Sequence, residues 1–198
     1  MVKIEVEQGL LLKSLELRES EQVLLLVEAN RAYLRQWLPW LDMTTNIDEM
    51  IAFVDSAMRQ HTSGLGFQAG IWKGNEIVGI IGYHHLEWAN RSTCIGYWIG
   101  EQFQGQGTMT KACRSLVEYA FEEWHLHRIE IRCAEGNVKS RAIPERLEFK
   151  PEGILREAEW LYDHYVDHVV YGMLSDEWQA AQNKQGAPDR RSSFLKQA

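Results

Sequence analysis

The sequence predicts an α+β fold in which helices flank a mixed, mostly antiparallel sheet. Three observations predict it. Alternating apolar segments follow one another between residues 67 and 100, with a hairpin turn at Gly74-Asn75. Apolar residues then recur at spacings of three and four from Met109 through Ala112, Cys113, Leu116, Val117, Ala120 and Phe121 to Trp124, the signature of an amphipathic helix. Directly behind that helix, "HRIEIRCAE" alternates again. One strand–helix–strand crossover therefore sits among hairpins.

The elements follow in order. "LLLKSLELRE" (10–19) predicts a strand, and Ser20 is placed to cap the helix that runs through "VLLLVEANRAYLRQWL" and stops before Pro39. Thr45 and Asp48 form a T-x-x-D pattern that predicts a second helix start, with an apolar face at 47, 50, 51, 54, 57 and 58. "FQAGIWK", "EIVGIIGYHHLEW" and "STCIGYWIG" predict three strands. "NVKSRAIPERLEF" predicts a short helix with Pro144 in its first turns, where proline is best tolerated. "EGILREAEWLY" and "YVDHVVYGML" predict the last two strands, and "SDEWQAAQ" a helical turn or two. Residues 1–182 read as one domain and 183–198, polar and mixed, as a flexible tail.

Composition narrows the function. The chain has 198 residues, 45% of them apolar and 8 of them Trp, which suffices for a substantial core. A net charge of -7 argues against a general nucleic-acid surface. No apolar run approaches the roughly 18 residues of a membrane span, and the first twenty residues lack a signal-peptide layout. The 3 cysteines, Cys94, Cys113 and Cys133, form no C-x-x-C pair, so neither a zinc site nor a disulfide framework is expected, and a reducing cytoplasm is the simplest setting. No metal is expected.

The stretch "GEQFQGQGTMTKA" (100–112) carries the chemistry. It does not fit the triphosphate loop G-x-x-x-x-G-K-[ST], because Lys111 comes four residues after Gly107 and precedes Ala112. It does not complete the dinucleotide pattern G-x-G-x-x-G/A either, because position 110 is Thr. A bare turn and an anion site remain. Free N–H groups from Gln104 to Thr108 at a helix start, with no Cβ at Gly105 and Gly107, favour the anion. Lys111 and Arg114 stand one and two turns further on, within reach of outer phosphates.

"Gln102-Phe103-Gln104-Gly105-Gln106-Gly107" resembles the Q/R-x-x-G-x-G/A signature of the GCN5-related N-acetyltransferases (GNAT). The resemblance extends over roughly residues 10–178 to the RimJ/RimL-like subgroup that acts on ribosomal-protein N-termini. It rests on "NRAYLRQWLPW" (30–40), "IGYW" (95–98), "NVKSRAIPERLEF", "REAE" (156–159), "DHVVY" (167–171) and "EW" (177–178). It implies the GNAT fold and direct transfer of acetyl from acetyl-CoA to an amine. The amine is expected to be a protein N-terminus of ribosomal type. A small amine such as an aminoglycoside, polyamine or amino acid, and a non-catalytic acyl-CoA-binding protein, are the alternatives. A homo-oligomer is compatible with the family.

The resemblance also implies roles. The amides of Gln102 and Gln104–Thr108 would grip the coenzyme pyrophosphate, Gln106 among them. Trp98 and Ile99 would present backbone to the pantetheine arm where their strand splays from its neighbour near Ile99. Asn137 would bind a pantetheine amide, and Ser140 would protonate the leaving thiolate; helix capping is the alternative role for both. Glu159 is the expected general base, its basicity raised by Trp160 beside it, with an inward-facing His84 or His85, or Glu87, as alternatives. Trp37 and Trp40 would either pack in the core or wall the acceptor cleft. Two departures stand out. Glu148 replaces the usual Gly of "LGF", which alters a turn. Cys94 stands where many relatives carry Glu; an acetyl-cysteine route at Cys94 or Cys133 is a remote alternative.

Overall fold

The computed structural model describes residues 2–184. An eight-stranded sheet has the order β1-β2-β3-β4-β5-β6-β8-β7. Its strands are β1 (Lys3–Glu7), β2 (Leu10–Ser14), β3 (Gln68–Lys73), β4 (Glu76–Glu87), β5 (Ser92–Ile99), β6 (Arg128–Ala134), β7 (Lys150–Leu161) and β8 (His164–Leu174). Every neighbouring pair is antiparallel except β5 and β6, which helix α3 (Thr108–Glu122) connects as a crossover. The predicted α+β class and the central crossover are both present.

The two faces of the sheet are covered differently. On one, α1 (Ser20–Leu34) and α2 (Ile47–Thr62) bury Val23, Val27, Met50 and Val54 against Ile77 and Ile80. On the other, α3 and α4 (Val138–Arg146) bury Ala112, Cys113, Leu116, Val117 and Ile143 against Ile81, Ile95, Ile129 and Ile131. Helix α5 (Ser175–Lys184) joins that second core through Trp178, 6.4 Å from the Phe121 ring. The face of β6, β8 and β7 beyond α1 and α2 carries ion pairs instead, with Arg128 between Glu130 and Glu152 and Arg132 on Glu130. No helix is long and apolar enough to cross a membrane among the described residues.

Several element boundaries differ from expectation. The predicted strand over 10–19 stops at Ser14, and an unpredicted strand, β1, precedes it, folded back through Gly9 at φ +81°. The N-cap of α1 is Glu19; Ser20 lies inside the helix with a buried Oγ that has no partner. Helix α1 ends at Leu34, a turn earlier than expected. Asn46, not Thr45, caps α2: its side chain accepts from Glu49 N at 3.1 Å, while Thr45 turns its hydroxyl to Glu49 Oε2. Helix α5 continues through Asn183 and Lys184, where the flexible tail was expected; the rest of that segment lies outside the described residues.

Pro144 is the seventh of the 9 residues of α4, in its second turn, and so inside the hydrogen-bonded part of the helix. A proline there cannot donate to the carbonyl four residues back, which is that of Ser140. The Tyr97 hydroxyl supplies the missing donor at 3.0 Å from Ser140 O. Strand β5 thus holds α4 in place through the proline's gap.

Helix α4 closes on Glu148 at φ +63°, with Phe149 N donating to Pro144 O at 3.0 Å. This is a left-handed helix stop of the kind glycine makes without strain. A side chain there costs on the order of 1 kcal/mol. Glu148→Gly is therefore expected to stabilise the fold by about 1 kcal/mol, seen as a higher urea midpoint at unchanged slope.

Candidate active site

The site begins where two strands part. β5 and β6 pair in parallel from Ser92↔Arg128 to Ile95↔Ile131 and no further, although β5 runs on to Ile99 and β6 to Ala134. β5 stays joined to β4 on its other side as far as Gly79↔Ile99. The gap thus opens at Gly96, three residues earlier than the sequence suggested. Beyond Ile95 the backbone groups of β5 on that edge have no strand partner, and a ligand can take them. Gly96 leaves room for His84, whose Nε2 would lie 2.3 Å from a Cβ at that position.

A cavity of about 1110 Å³ fills the gap. Its floor includes Gly96–Ile99 from β5 and Arg132–Ala134 from β6. At one end lies the glycine loop. Gly105 and Gly107 have φ of +71° and +75°, and a Cβ built on Gly105 would meet nothing within 4 Å. Gly107 is the N-cap of α3 and no side chain caps that end. The first N–H groups of the helix, from Thr108 on, are left to bind an anion, and the helix dipole adds positive potential there. The loop is an open cradle, not a filled turn.

Its cations are placed unequally. Lys111 lines the cavity but is held by Glu7, with both carboxylate oxygens 2.8 Å away. Arg114 turns away and lies over the Trp178 ring, 5.3 Å from its centroid, so it does not serve this end. Lys139, not foreseen, reaches the loop from α4 and donates to Gln104 Oε1 at 2.9 Å, while Gln104 Nε2 donates to the Tyr33 hydroxyl. Gln104, Gly105, Gly107 and Thr108 line the cavity. The Gln102 and Gln106 side chains do not: Gln106 accepts from Lys73 Nζ and donates to the Gln102 carbonyl.

In the middle lie Asn137 and Ser140. Asn137 Oδ1 accepts from Ser140 N at 3.1 Å, so the capping role is realised, and both residues also line the cavity. Ser140 Oγ contacts Cys133 Sγ at 3.2 Å. The Tyr97 hydroxyl, bound to the Ser140 carbonyl and far above its usual pKa through burial, is committed to structure.

At the far end, Trp37 and Trp40 line the cavity with Phe53, whose ring stacks on Trp40 at 6.5 Å. They are walls, and Trp40 also packs on Trp98 at 6.2 Å. Glu159 faces them from β7, partly buried, with His168 Nε2 3.4 Å from its Oε2. Trp160 does not flank that carboxylate as expected. It points to the opposite side of the strand and meets Tyr165 at 4.8 Å, half exposed. His84 lines the cavity, and desolvation together with His85 holds its imidazole below the usual value. His85 sits at a bulge with φ +51°, and Glu87 is paired with Asn90 at 2.8 Å; neither lines the cavity.

Cys94 lines the cavity in place of a carboxylate, and burial pushes its thiol up to about 11. Burial therefore favours the neutral thiol over the nucleophilic thiolate at this position. Burial also raises Cys133, which lines the cavity; Cys113 is fully buried away from it. No group of three or more His, Cys, Asp or Glu is placed to hold a metal ion among the described residues. Lys139 and His168 are the residues that sequence reasoning missed.

Comparison with known proteins matches the geometry. The family profile described as "Acetyltransferase (GNAT) domain" matches residues 10–150. The chain is 35% identical over 180 residues to YdaF of Bacillus subtilis (strain 168), covering 90% of this chain and 98% of that one. Among solved structures it is similar to RimL, the ribosomal L7/L12 alpha-N-protein acetyltransferase, in complex with coenzyme A (30% identity, TM-score 0.86, 89% of this chain and 99% of that one). It is also similar to the microcin C7 self immunity acetyltransferase MccE in complex with acetyl-CoA and AMP (27% identity, TM-score 0.84, 86% and 95% covered).

The glycine cradle gives a direct test. In Gly105→Ala the new methyl clashes with no protein atom but stands where an anion would approach. It is expected to lower Tm by a few degrees, the cost of a left-handed alanine, and to weaken acetyl-CoA about tenfold by calorimetry.

Proposed function

We propose a substrate for this chain, which belongs to the GNAT acetyltransferases and is an acetyl-CoA-dependent N-acetyltransferase: the acetyl group goes to the N-terminal α-amine of a ribosomal protein. The similarity to the L7/L12 acetyltransferase over nearly the whole of both chains carries this reading. The cavity lining supports it, because aromatic walls and a carboxylate suit an extended peptide end bearing an ammonium group. The similarity to MccE favours a second reading, a small amine joined to a nucleotide.

The residues divide the work as follows. The amides from Gly105 to Thr108 hold the pyrophosphate, and Lys139 supplies charge beside them. The free edge of β5 from Gly96 to Ile99 pairs with the pantetheine arm and polarises the thioester carbonyl. Acetyl-CoA supplies the activated acetyl group. Glu159 takes a proton from the acceptor ammonium through water, and Ser140 gives one to the departing thiolate.

A panel of peptides with free and blocked N-termini, run beside small amines and aminoacyl nucleotides and read as thiol released, tests the acceptor. Turnover of free peptides alone is expected. Turnover of the small amines alone would replace this reading with the second. Ser140→Ala is expected to lower kcat by about 10²-fold while the acetyl-CoA Kd stays within twofold, since the proton is needed only in the transition state. The α4 cap survives, because Asn137 binds the backbone N–H of residue 140. Loss of affinity at full turnover would make Ser140 a binding residue only. Glu159→Gln is expected to flatten the rise of rate with pH, and an unchanged profile would remove Glu159 as the base.

A further inference from the structure

Strand β7 is irregular at one place. Leu155 pairs with His168 and Glu159 pairs with Val166, so residues 156–158 all stand opposite Asp167 alone. A regular ladder would set residue 157 across from Val166; β7 carries two residues more than that. Glu157 takes φ +49° to absorb them, and its N–H donates to Asp167 Oδ1 at 2.8 Å. Bulges of this kind re-aim side chains. Here the result is that Glu159 takes the place beside His168, with Oε2 and Nε2 3.4 Å apart at the cavity wall.

We propose that His168 takes up the proton that Glu159 removes from the acceptor amine, so that the two side chains act as one carboxylate–imidazole relay held by the β7 bulge. The proposal rests on the reading of Glu159 as the base. A carboxylate alone is poorly matched to its task. A peptide α-ammonium has a pKa of about 8, a free carboxylate about 4.3 and a free imidazole about 6.5. Delivering the proton to an imidazole makes the equilibrium roughly a hundredfold less unfavourable than leaving it on a carboxylate.

The balance closes. The ammonium gives one proton through water to Glu159 and on to the His168 imidazole, which becomes imidazolium. The free amine attacks, the N–C bond forms and the C–S bond breaks. The second amine proton replaces the one that Ser140 gives to the thiolate. His168 then releases its proton to solvent, the single proton the whole reaction liberates. His168 acts through Glu159 and is a positioning residue and proton store.

The other groups toward which His168 faces compete little. On β6, Arg132 is paired with Glu130. On β5, Cys94 stays a thiol. On β4, burial and the neighbouring His85 hold His84 below its usual value. On β8 itself, Asp167 is engaged by the bulge.

Two measurements test the relay. The rate with a serine-initiated peptide is followed from pH 5.5 to 9.5 for the wild type, His168→Gln and Glu159→Gln. Glutamine keeps a donor for Glu159 but cannot store a proton. His168→Gln is expected to move the acid limb of kcat/KM down, because the weaker carboxylate base is left to set it, and to lower the rate at pH 7 about tenfold, with acetyl-CoA affinity unchanged. A wild-type limb in His168→Gln together with an altered one in Glu159→Gln sinks the relay and leaves Glu159 as base. A wild-type limb in Glu159→Gln sinks the base reading, and the relay with it. The second measurement needs no turnover: the His168 ring-proton NMR signals are compared in the wild type and Glu159→Gln. Loss of the adjacent carboxylate is expected to change their chemical shifts, and unchanged shifts overturn the coupling.

Discussion

The parting of β5 and β6 after Ile95 and Ile131 is the constraint on which the rest of the molecule depends. Parallel strands joined by a helix normally zip along their full length. Here pairing stops while both strands continue, and one edge of β5 keeps unspent hydrogen-bonding groups. Those groups would be a liability in a closed core, because each buried unpaired amide costs a few kcal/mol. At the edge of a cavity they become a template for a ligand. The same divergence sets α3 with its N-terminus at the mouth of the gap, so the anion cradle and the free strand edge face one space.

Other features keep that wedge open. Gly96 admits His84 over its start. Pro144 removes a donor from α4, and Tyr97, on β5, fills the vacancy across the gap at the Ser140 carbonyl. That bond ties the helix carrying Asn137 and Ser140 to the strand expected to carry the thioester. A tyrosine that would otherwise be a candidate acid is thereby spent on geometry, and the serine beside it is left with its hydroxyl toward Cys133 and the cavity.

The two ends of the cavity differ in charge, which suits two different substrates. The loop end brings helix N–H groups and Lys139 to an anion, while Lys111 is largely neutralised by Glu7. The far end presents tryptophans and the Glu159–His168 pair, a combination suited to a cation. Exposed ion pairs such as Lys111–Glu7 contribute little stability, so the lysine can be drawn toward a phosphate at small cost.

The sequence by itself determined the order of strands and helices from β2 onward, the crossover, the apolar face of α3 and the glycine cradle. Each of these depends on local periodicity or on glycine's freedom at positive φ, and both are written in consecutive residues. It also marked Asn137, Ser140 and Glu159 through a family pattern. Only the tertiary structure decided which cation reaches the loop, since the directions of Lys111, Arg114 and Lys139 depend on Glu7, Trp178 and Gln104 from distant segments. Only the tertiary structure set Glu159 beside His168. Strict alternation cannot place them together, because a two-residue bulge fixed by Asp167 resets the register between β7 and β8, and register is a property of two strands rather than one.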